Sequence, residues 1–194
     1  MSYHVYSTEG VVLGSIPYGE SNKVFFILTK KFGLVRAVAQ SIRELKSKLR
    51  YSLQEGSVIN VDLVHGKDIW RITNASEVAS YQMVLREHGS YIVGRIFFLL
   101  KRLIHGEEPD VDLYEIIVSF LLIVSKNILT EKQHENVDIL LHIQILSRLG
   151  YGSSENIIQY FAHAPLTIEI VDEITEHKTT LIKHIQETLQ STQM

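Results

Sequence analysis

The first eighty residues carry short apolar runs separated by turn-forming residues, a pattern typical of β-strands. Strands are predicted over residues 8–16, 23–29, 34–39, 58–64 and 69–73. Pro17 and the polar residues after it predict the first turn, and Gly33, which can adopt a positive φ, predicts a hairpin turn after the second strand. Trp70 and Ile72 alternate with polar residues, so the last strand is expected to be half-buried.

A helix is predicted between the third and fourth strands, over residues 41–54. At 3.6 residues per turn its apolar side chains form one narrow stripe, which consists of Ile42, Leu45, Leu49 and Leu53. Cations lie on both sides of this stripe, namely Arg43, Lys46, Lys48 and Arg50. Such a helix could contact phosphate groups, and a solvated polar face is the alternative interpretation.

Three strands, a helix and two further strands are the order of a small OB barrel. After about residue 80 the apolar residues recur every three or four positions, which predicts helices over about 92–103, 113–124, 137–149 and 167–189, the last one broken near His177. Asp112 with Glu115, and Thr130 with Gln133, have the spacing of a capping box. The predicted fold class is therefore α+β, with an N-terminal five-stranded OB-fold β-barrel in residues 1–80 followed by an all-α helical domain in residues 81–194.

The two predicted domains differ in charge. Residues 1–80 contain ten Lys and Arg against seven Asp and Glu, a balance of +3, whereas residues 81–194 contain nine against fifteen, a balance of −6. This asymmetry favours a polyanion as a partner of the first half. The absence of cysteine excludes disulfides and thiolate metal sites and is typical of a reducing cytosol. No signal peptide and no apolar run of about 20 residues is present, so a cytoplasmic protein, nucleoid-associated when active, is expected.

Motifs for catalysis and metal binding are missing from the sequence. The histidine pairs His177 and His184, and His134 and His142, lack the spacing of a zinc-binding helix. No GxSxG elbow, phosphate-binding loop or HExxH motif is present. We therefore expect no enzymatic activity, no metal and no cofactor.

Four stretches of the chain, in this order, resemble the bacterial recombination mediator family RecO. They are EGVVLGSIPYGESNKVFFILTKKFGLVRAVAQ (Glu9 to Gln40), SKLRYSLQ (Ser47 to Gln54), LVHGKDIWRIT (Leu63 to Thr73) and LGYG (Leu149 to Gly152). The resemblance implies an OB domain followed by a helical domain. It also implies binding of single- and double-stranded DNA, annealing of complementary strands and, with RecR, loading of RecA onto DNA coated by single-strand-binding protein. Neither a membrane nor a small-molecule substrate is expected as a partner.

The resemblance ends in the last third of the chain. Many members of the family carry a cysteine zinc cluster just beyond the LGYG position, and this chain has no cysteine. The segment from Ser153 to Leu166 is also short where relatives have more residues. We therefore expect a C-terminally shortened member without the zinc cluster.

The residues expected to contact DNA follow from how OB barrels bind nucleic acid, across their second and third strands and the loops that join strands 1–2 and 4–5. The cations at these places and on the predicted helix are Lys23, Lys30, Lys31, Arg36, Arg43, Lys46, Lys48, Arg50, Lys67 and Arg71. Tyr18 and Tyr51 are expected to stack on bases. Phe25, Phe26 and Trp70 are expected in the core instead.

Basic residues of the helical half suggest a protein partner. Arg95, Lys101, Arg102 and Arg148 could receive the acidic tail of single-strand-binding protein in a groove between helices, or could be solvated helix faces. The alternative function is an OB-fold protein-interaction scaffold with weak or indirect nucleic-acid contact. An OB protein that acts on RNA is a further alternative.

Overall fold

The computed structural model describes residues 4–67, 69–82, 90–126 and 129–192. The strands are β1 (Val5–Tyr18), β2 (Asn22–Thr29), β3 (Gly33–Ala39), β4 (Ser57–His65) and β5 (Trp70–Ser80). The helices of these residues are α1 (Leu49–Ser52), α2 (Ser90–Leu103), α3 (Val111–Ser125), α4 (Glu131–Arg148), α5 (Asn156–His163) and α6 (Ile168–Ser191). The predicted fold class, a five-stranded barrel followed by helices, is confirmed.

The strands form a closed barrel in the order β1-β2-β3-β5-β4. All neighbours are antiparallel except β3 and β5, which pair in parallel through only two registered residue pairs, Ala37 with Trp70 and Val38 with Arg71. The first half of β1 pairs with β4 and its second half with β2. The register shifts at Gly14, whose φ of 137° favours glycine. This kink lets one strand close the barrel on both sides.

The barrel interior is filled by the inward-facing side chains of all five strands. They include Val12, Phe25, Ile27, Val35, Ala37, Ile59, Val61, Leu63, Trp70 and Ile72. Phe25 and Trp70 are 2% and 5% exposed, so their predicted place in the core is confirmed. Phe26 points outward and packs, half-buried, against the helical core.

Outward-facing barrel residues belong to the same hydrophobic core as the helices. Val11, Leu13, Leu28, Leu34 and Val58 pack in one cluster with the buried side chains of α2 to α6. The core therefore continues from the barrel into the helical half. The division into domains at residues 80 and 81 stays a prediction.

The predicted helix over residues 41–54 is wrong, because only α1 is helical there. Ser41 has a φ of 51°, which a right-handed helix excludes, and the NH of Ser41 bonds Oδ1 of Asn22 at 2.9 Å. Ile42 and Leu53 are buried in the barrel core, but Leu45 is 85% exposed. The segment is thus a loop that leads into the short helix α1 and is anchored in the barrel core by Ile42 before it and Leu53 after it. We call residues 41–50 the basic loop.

The helical half also departs from prediction in three places. The N-cap of α3 is Asp110, whose Oδ1 accepts from the NH of Leu113 at 2.8 Å, so the predicted box of Asp112 with Glu115 is wrong. The long helix α6 continues past His177 without a break, and α5 was not predicted. The capping box of Thr130 with Gln133 is confirmed at the start of α4. None of the helices described here is long and apolar enough to cross a membrane.

Candidate nucleic-acid interface

Helices cover part of the face that OB barrels use for nucleic acids. Leu28 and Leu34, which are registered partners on β2 and β3, face outward and pack into the helical core. Arg36, two residues farther along β3, is exposed. The accessible part of this face therefore begins at Arg36 and continues towards β5 rather than along the full length of β2.

Two arginines lie on the outer face of β3 and β5. The guanidinium of Arg36 lies 5.5 Å from the ring centroid of Phe26, its registered partner on β2. Nη2 of Arg71 donates to Oε1 of Gln40 at 2.7 Å, and Arg71 is registered with Val38 on β3. These contacts orient two exposed guanidinium groups while leaving further N–H donors available to a phosphate. Lys67 is exposed in the turn before β5.

Arg43 joins the basic loop to the β1–β2 turn. Its Nη1 donates to the carbonyl oxygen of Glu20 at 2.9 Å, and its backbone NH donates to the carbonyl oxygen of Ser21 at 3.0 Å. Together with the bond from Ser41 to Asn22, these contacts fix where the loop leaves the barrel. Sequence reasoning missed Asn22 and Gln40 as orienting residues, because carbonyl and amide acceptors leave no periodic or charge signal.

The remaining cations of the basic loop point into solvent. Lys46, Lys48 and Arg50 are exposed, and within the described part of the chain none of them lies within 4.0 Å of a carboxylate oxygen. Cations without a carboxylate partner can interact with the phosphates of a polyanion without first breaking an ion pair.

Two exposed tyrosines lie at the same end. Tyr18 ends β1 and is 54% exposed, and Tyr51 lies in α1 directly after the basic loop and is 75% exposed. Lys23 is the second residue of β2, registered with Pro17 and Ala39, and is half-buried. Aromatic rings beside free cations form a surface that could bind a single strand by stacking and charge.

Lys30 and Lys31 lie at the β2–β3 turn, away from this group, and both have intramolecular partners. Nζ of Lys30 is 3.1 Å from Oε1 of Glu115, and Nζ of Lys31 donates to the carbonyl oxygen of Ser7 at 3.1 Å. The predicted set of ten cations is therefore divided. Eight lie on the β3–β5 face, in the β4–β5 turn or around the basic loop, whereas Lys30 is paired with a residue of α3 and Lys31 with a carbonyl oxygen of β1.

An aromatic cluster that sequence reasoning missed closes the barrel near these lysines. The ring of Tyr6 lies 5.7 Å from Phe32 and 5.4 Å from Trp70, and the ring of His65 lies 4.7 Å from Trp70. Nε1 of Trp70 donates to Oε1 of Glu107 at 2.6 Å, in the connection between α2 and α3. The cluster thus links the barrel to the helical half.

Of the four residues predicted to bind a protein partner, two form ion pairs within the protein. Arg95 forms an ion pair of 3.0 Å with Asp138, and Arg148 lies 3.4 Å from Asp110 and 3.1 Å from Asp112. Lys101 and Arg102 have no such pair within the described residues. Two of the four cations are therefore engaged within the helical half.

The ion pair of Arg95 lies in a groove of about 1010 Å³ between α2, α4 and α6. Ile139, Ile182 and Ile185 contribute apolar walls, and Asp138 is largely buried among the lining residues. Burial raises the pKa of Asp138, although the nearby His142 and Arg95 oppose that rise. In the described ranges, no three His, Asp or Glu side chains are grouped as a metal site would require.

The raised pKa of Asp138 predicts a pH dependence of stability. The folded state holds a proton on this carboxyl at pH values where the unfolded chain has lost it, so the free energy of unfolding falls as pH rises from the ordinary value of 3.8 through the raised one. Asp138→Asn should remove this component, which chemical denaturation across a pH series measures. Glu131→Gln, an exposed acid at the groove, is the matched control. Identical pH profiles for Asp138→Asn and the unchanged protein would contradict the assignment.

Comparisons with known proteins agree with this architecture. Residues 1–81 match the family described as "Recombination protein O N terminal". The chain is 30% identical to the DNA repair protein RecO of Thermodesulfovibrio yellowstonii over 149 residues, which are 75% of this chain and 58% of that protein. It is 25% identical to the DNA repair protein RecO of Gloeobacter violaceus over 172 residues, covering 87% and 64% of the two chains. The chain spans about half the length of the curated relatives it matches. The resemblance to the RecO family is confirmed.

Proposed function

We propose that this relative of the RecO proteins acts in DNA repair and homologous recombination by binding DNA at the basic-loop end of its barrel. It binds single- and double-stranded DNA, anneals complementary strands and, with RecR, helps to load RecA onto DNA coated by single-strand-binding protein. The observation that carries the proposal is the group of unpaired, exposed cations Lys46, Lys48 and Arg50 beside Tyr18 and Tyr51. Its place of action is the cytoplasm, at the nucleoid.

The proposed mechanism needs no covalent step. Two single strands repel each other through their phosphates, and bound cations lower that repulsion by replacing the condensed counterions. Arg36, Lys67 and Arg71 follow the backbone along the β3–β5 face, with Lys23 and Arg43 at the turn. Contacts of this kind read phosphate rather than base edges, so binding is independent of sequence. No cofactor takes part, and the protein is not an enzyme in this proposal.

Lys30 and Lys31 are left out of the proposed contact set. A phosphate would have to displace Glu115 from Lys30 and the Ser7 carbonyl from Lys31. The exchange of one ionic partner for another at an exposed site yields little net free energy.

Single-strand-binding protein is proposed to dock on the helical half. Its acidic tail would enter the groove beside Arg95, where it competes with Asp138. The exchange would leave the buried carboxyl of Asp138 without its guanidinium partner, and the binding free energy of the tail has to exceed that cost. Arg148 contributes less, because two carboxylates hold it.

A protein-interaction scaffold is the second candidate function. The groove between α2, α4 and α6 favours the scaffold function, because a cavity of about 1010 Å³ with apolar walls could bind the side chains of a protein segment. In that case the barrel would contact RecR or another protein, and nucleic-acid binding would be weak.

Binding of a labelled single-stranded DNA oligomer, followed by fluorescence anisotropy across a salt series, tests the proposal. We expect the logarithm of the binding constant to fall linearly with the logarithm of salt concentration, with a slope of about −2 to −4 for three to six neutralised phosphates. Competition with an RNA oligomer of equal sequence tests the RNA alternative. An absence of binding at low salt would refute the proposal, and a pull-down with RecR would then test the scaffold.

A further inference from the structure

The outward face of α2 combines exposed aromatic and basic side chains. Tyr91, Arg95, Phe98 and Arg102 follow one another at intervals of four, three and four residues, so they share one face of the helix. Tyr91 is 72% and Phe98 is 61% exposed. Helix α2 contains no Asp or Glu, although residues 81–194 carry fifteen of them. Large exposed aromatics on an acid-free helix indicate a binding surface.

We propose that this face of α2 is a second contact surface for single-stranded nucleic acid, continuous with the basic loop. The inference rests on the proposed function of the barrel and extends it, because it assigns a longer binding site and a preference for unpaired bases. Arg95 is paired with Asp138, but Arg102 has no carboxylate partner among the described residues, and this cation on an acid-free helix argues for a polyanion as the occupant. The two exposed rings argue for bases that are free to stack.

The connection between the two surfaces runs along β1. Nζ of Lys101 lies 3.3 Å from the position that a Cβ would take on Gly14, where β1 turns from β4 towards β2. From there the exposed residues 15–18 lead to the β1–β2 turn, which Arg43 joins to the basic loop. The acids along this path are Glu20, Glu44 and Glu55. Oε2 of Glu55 lies 3.6 Å from the same Gly14 position, so a strand that passes from the loop to α2 would run beside this carboxylate as well as beside Lys101.

The spacing on α2 suits a strand whose bases point towards the protein. Tyr91 and Phe98 are seven residues apart, which corresponds to about 10.5 Å along the helix axis. Each ring can take a base without regard to sequence, and Arg102 lies one turn beyond Phe98 to neutralise a phosphate. A duplex hides the faces of its bases, so these rings would add nothing to duplex binding.

Oligomer length separates the two surfaces experimentally. A single OB fold covers about 4–16 nucleotides, so an oligomer of about 8 nucleotides can bind at the barrel alone, whereas one of about 30 can reach α2. We expect Phe98→Ala with Arg102→Ala to lower the affinity for the long oligomer about tenfold and to flatten its salt slope by about 0.7. The affinity for the short oligomer should change less than about twofold.

A matched control removes the same types of side chain elsewhere. Tyr160 on α5 is 46% exposed and the Lys183 side chain on α6 is 75% exposed, so Tyr160→Ala with Lys183→Ala should leave both oligomers bound as before. Arg102→Glu alone, which keeps Phe98, should also weaken binding of the long oligomer selectively. It provides the test if the double variant fails to fold.

The outcomes distinguish this inference from the proposed function. Normal binding of the long oligomer by both α2 variants would overturn the inference while leaving the barrel site intact. Equal losses on both oligomers would also overturn it, because the two surfaces would not be separable by length. If the unchanged protein binds neither oligomer, the proposed function fails as well. Capture of an acidic protein tail by Phe98 and Arg102, outside the groove beside Arg95, with long-oligomer binding unaltered, would assign this part of the face to a protein partner instead.

Discussion

Replacing Lys46, Lys48 and Arg50 with alanine together is expected to lower the affinity for single-stranded DNA about 100-fold at 0.1 M salt. Each neutralised phosphate contributes about 0.7 to the salt slope for single strands, so three contacts contribute about 2. Over the decade from 1 M to 0.1 M salt this slope difference becomes two orders of magnitude in the binding constant. The three side chains are exposed and have no carboxylate partner within the described residues, so folding should be unaffected. Anisotropy across a salt series measures both quantities.

The control for this variant removes equal charge from the helical half. Lys126, Lys132 and Lys183 are exposed, and their replacement by alanine should leave the salt slope unaltered. Arg43 is kept in both variants because it braces the β1–β2 turn. Equal losses in the two variants would show that only net charge matters, and the basic loop would then not be a specific contact surface.

Gly33→Ala is expected to destabilise the protein by about 2–5 kcal/mol. Gly33 has a φ of 62°, where an alanine costs about 1–2 kcal/mol. A Cβ on Gly33 would also overlap the backbone of Glu108 in the connection between α2 and α3, and such overpacking costs about 1–3 kcal/mol. Chemical denaturation of the purified variant measures the change in the free energy of unfolding.

Gly19→Ala separates the two causes. Gly19 has a φ of 64°, nearly that of Gly33, but a Cβ there would meet nothing within 4 Å. We therefore expect this variant to show only the conformational part, about 1–2 kcal/mol. If the free energy of unfolding falls by the same amount in both variants, the contact between the β2–β3 turn and the connection from α2 to α3 does not contribute to stability.

The barrel strands were predictable because alternation directly records which face of a strand is buried. Ile59, Val61 and Leu63 all face the interior of the barrel, as their spacing indicates. The capping box at Thr130 was also readable, since its hydrogen bonds join residues three apart in sequence. Local and periodic signals of this kind can be recognised in the sequence without any knowledge of tertiary contacts.

The basic loop shows where periodicity misleads. Ile42 and Leu53 are buried, as a helical stripe would require, but each is held by the barrel at one end of the segment. Leu45, between them, points into solvent. The positive φ of Ser41 and the contacts to the β1–β2 turn decide the conformation, and both depend on residues about twenty positions away. Tertiary anchors thus overrode a weak local preference.

The residue types of the candidate site were predictable, but the pairing of its members was not. Lys30 is held by Glu115, which is 85 residues away in sequence, and no local pattern records such a contact. The packing of Leu28 and Leu34 against the helices was equally invisible, because an apolar residue on the outer face of a strand predicts burial without naming the partner. These long-range contacts decide which cations remain available to a ligand.

The core shared by the barrel and the helices restricts which substitutions can occur in either half. Because Val11 and Leu13 of β1 pack in the same cluster as Phe97 and Phe120, a change of volume on either side must be matched on the other or leave a cavity. Substitutions in β1 and in the helices α2 and α3 are therefore expected to covary among relatives. The two halves of the chain would then be inherited as one unit, and exchange of a barrel between distant homologues would have to bring its helical neighbours along.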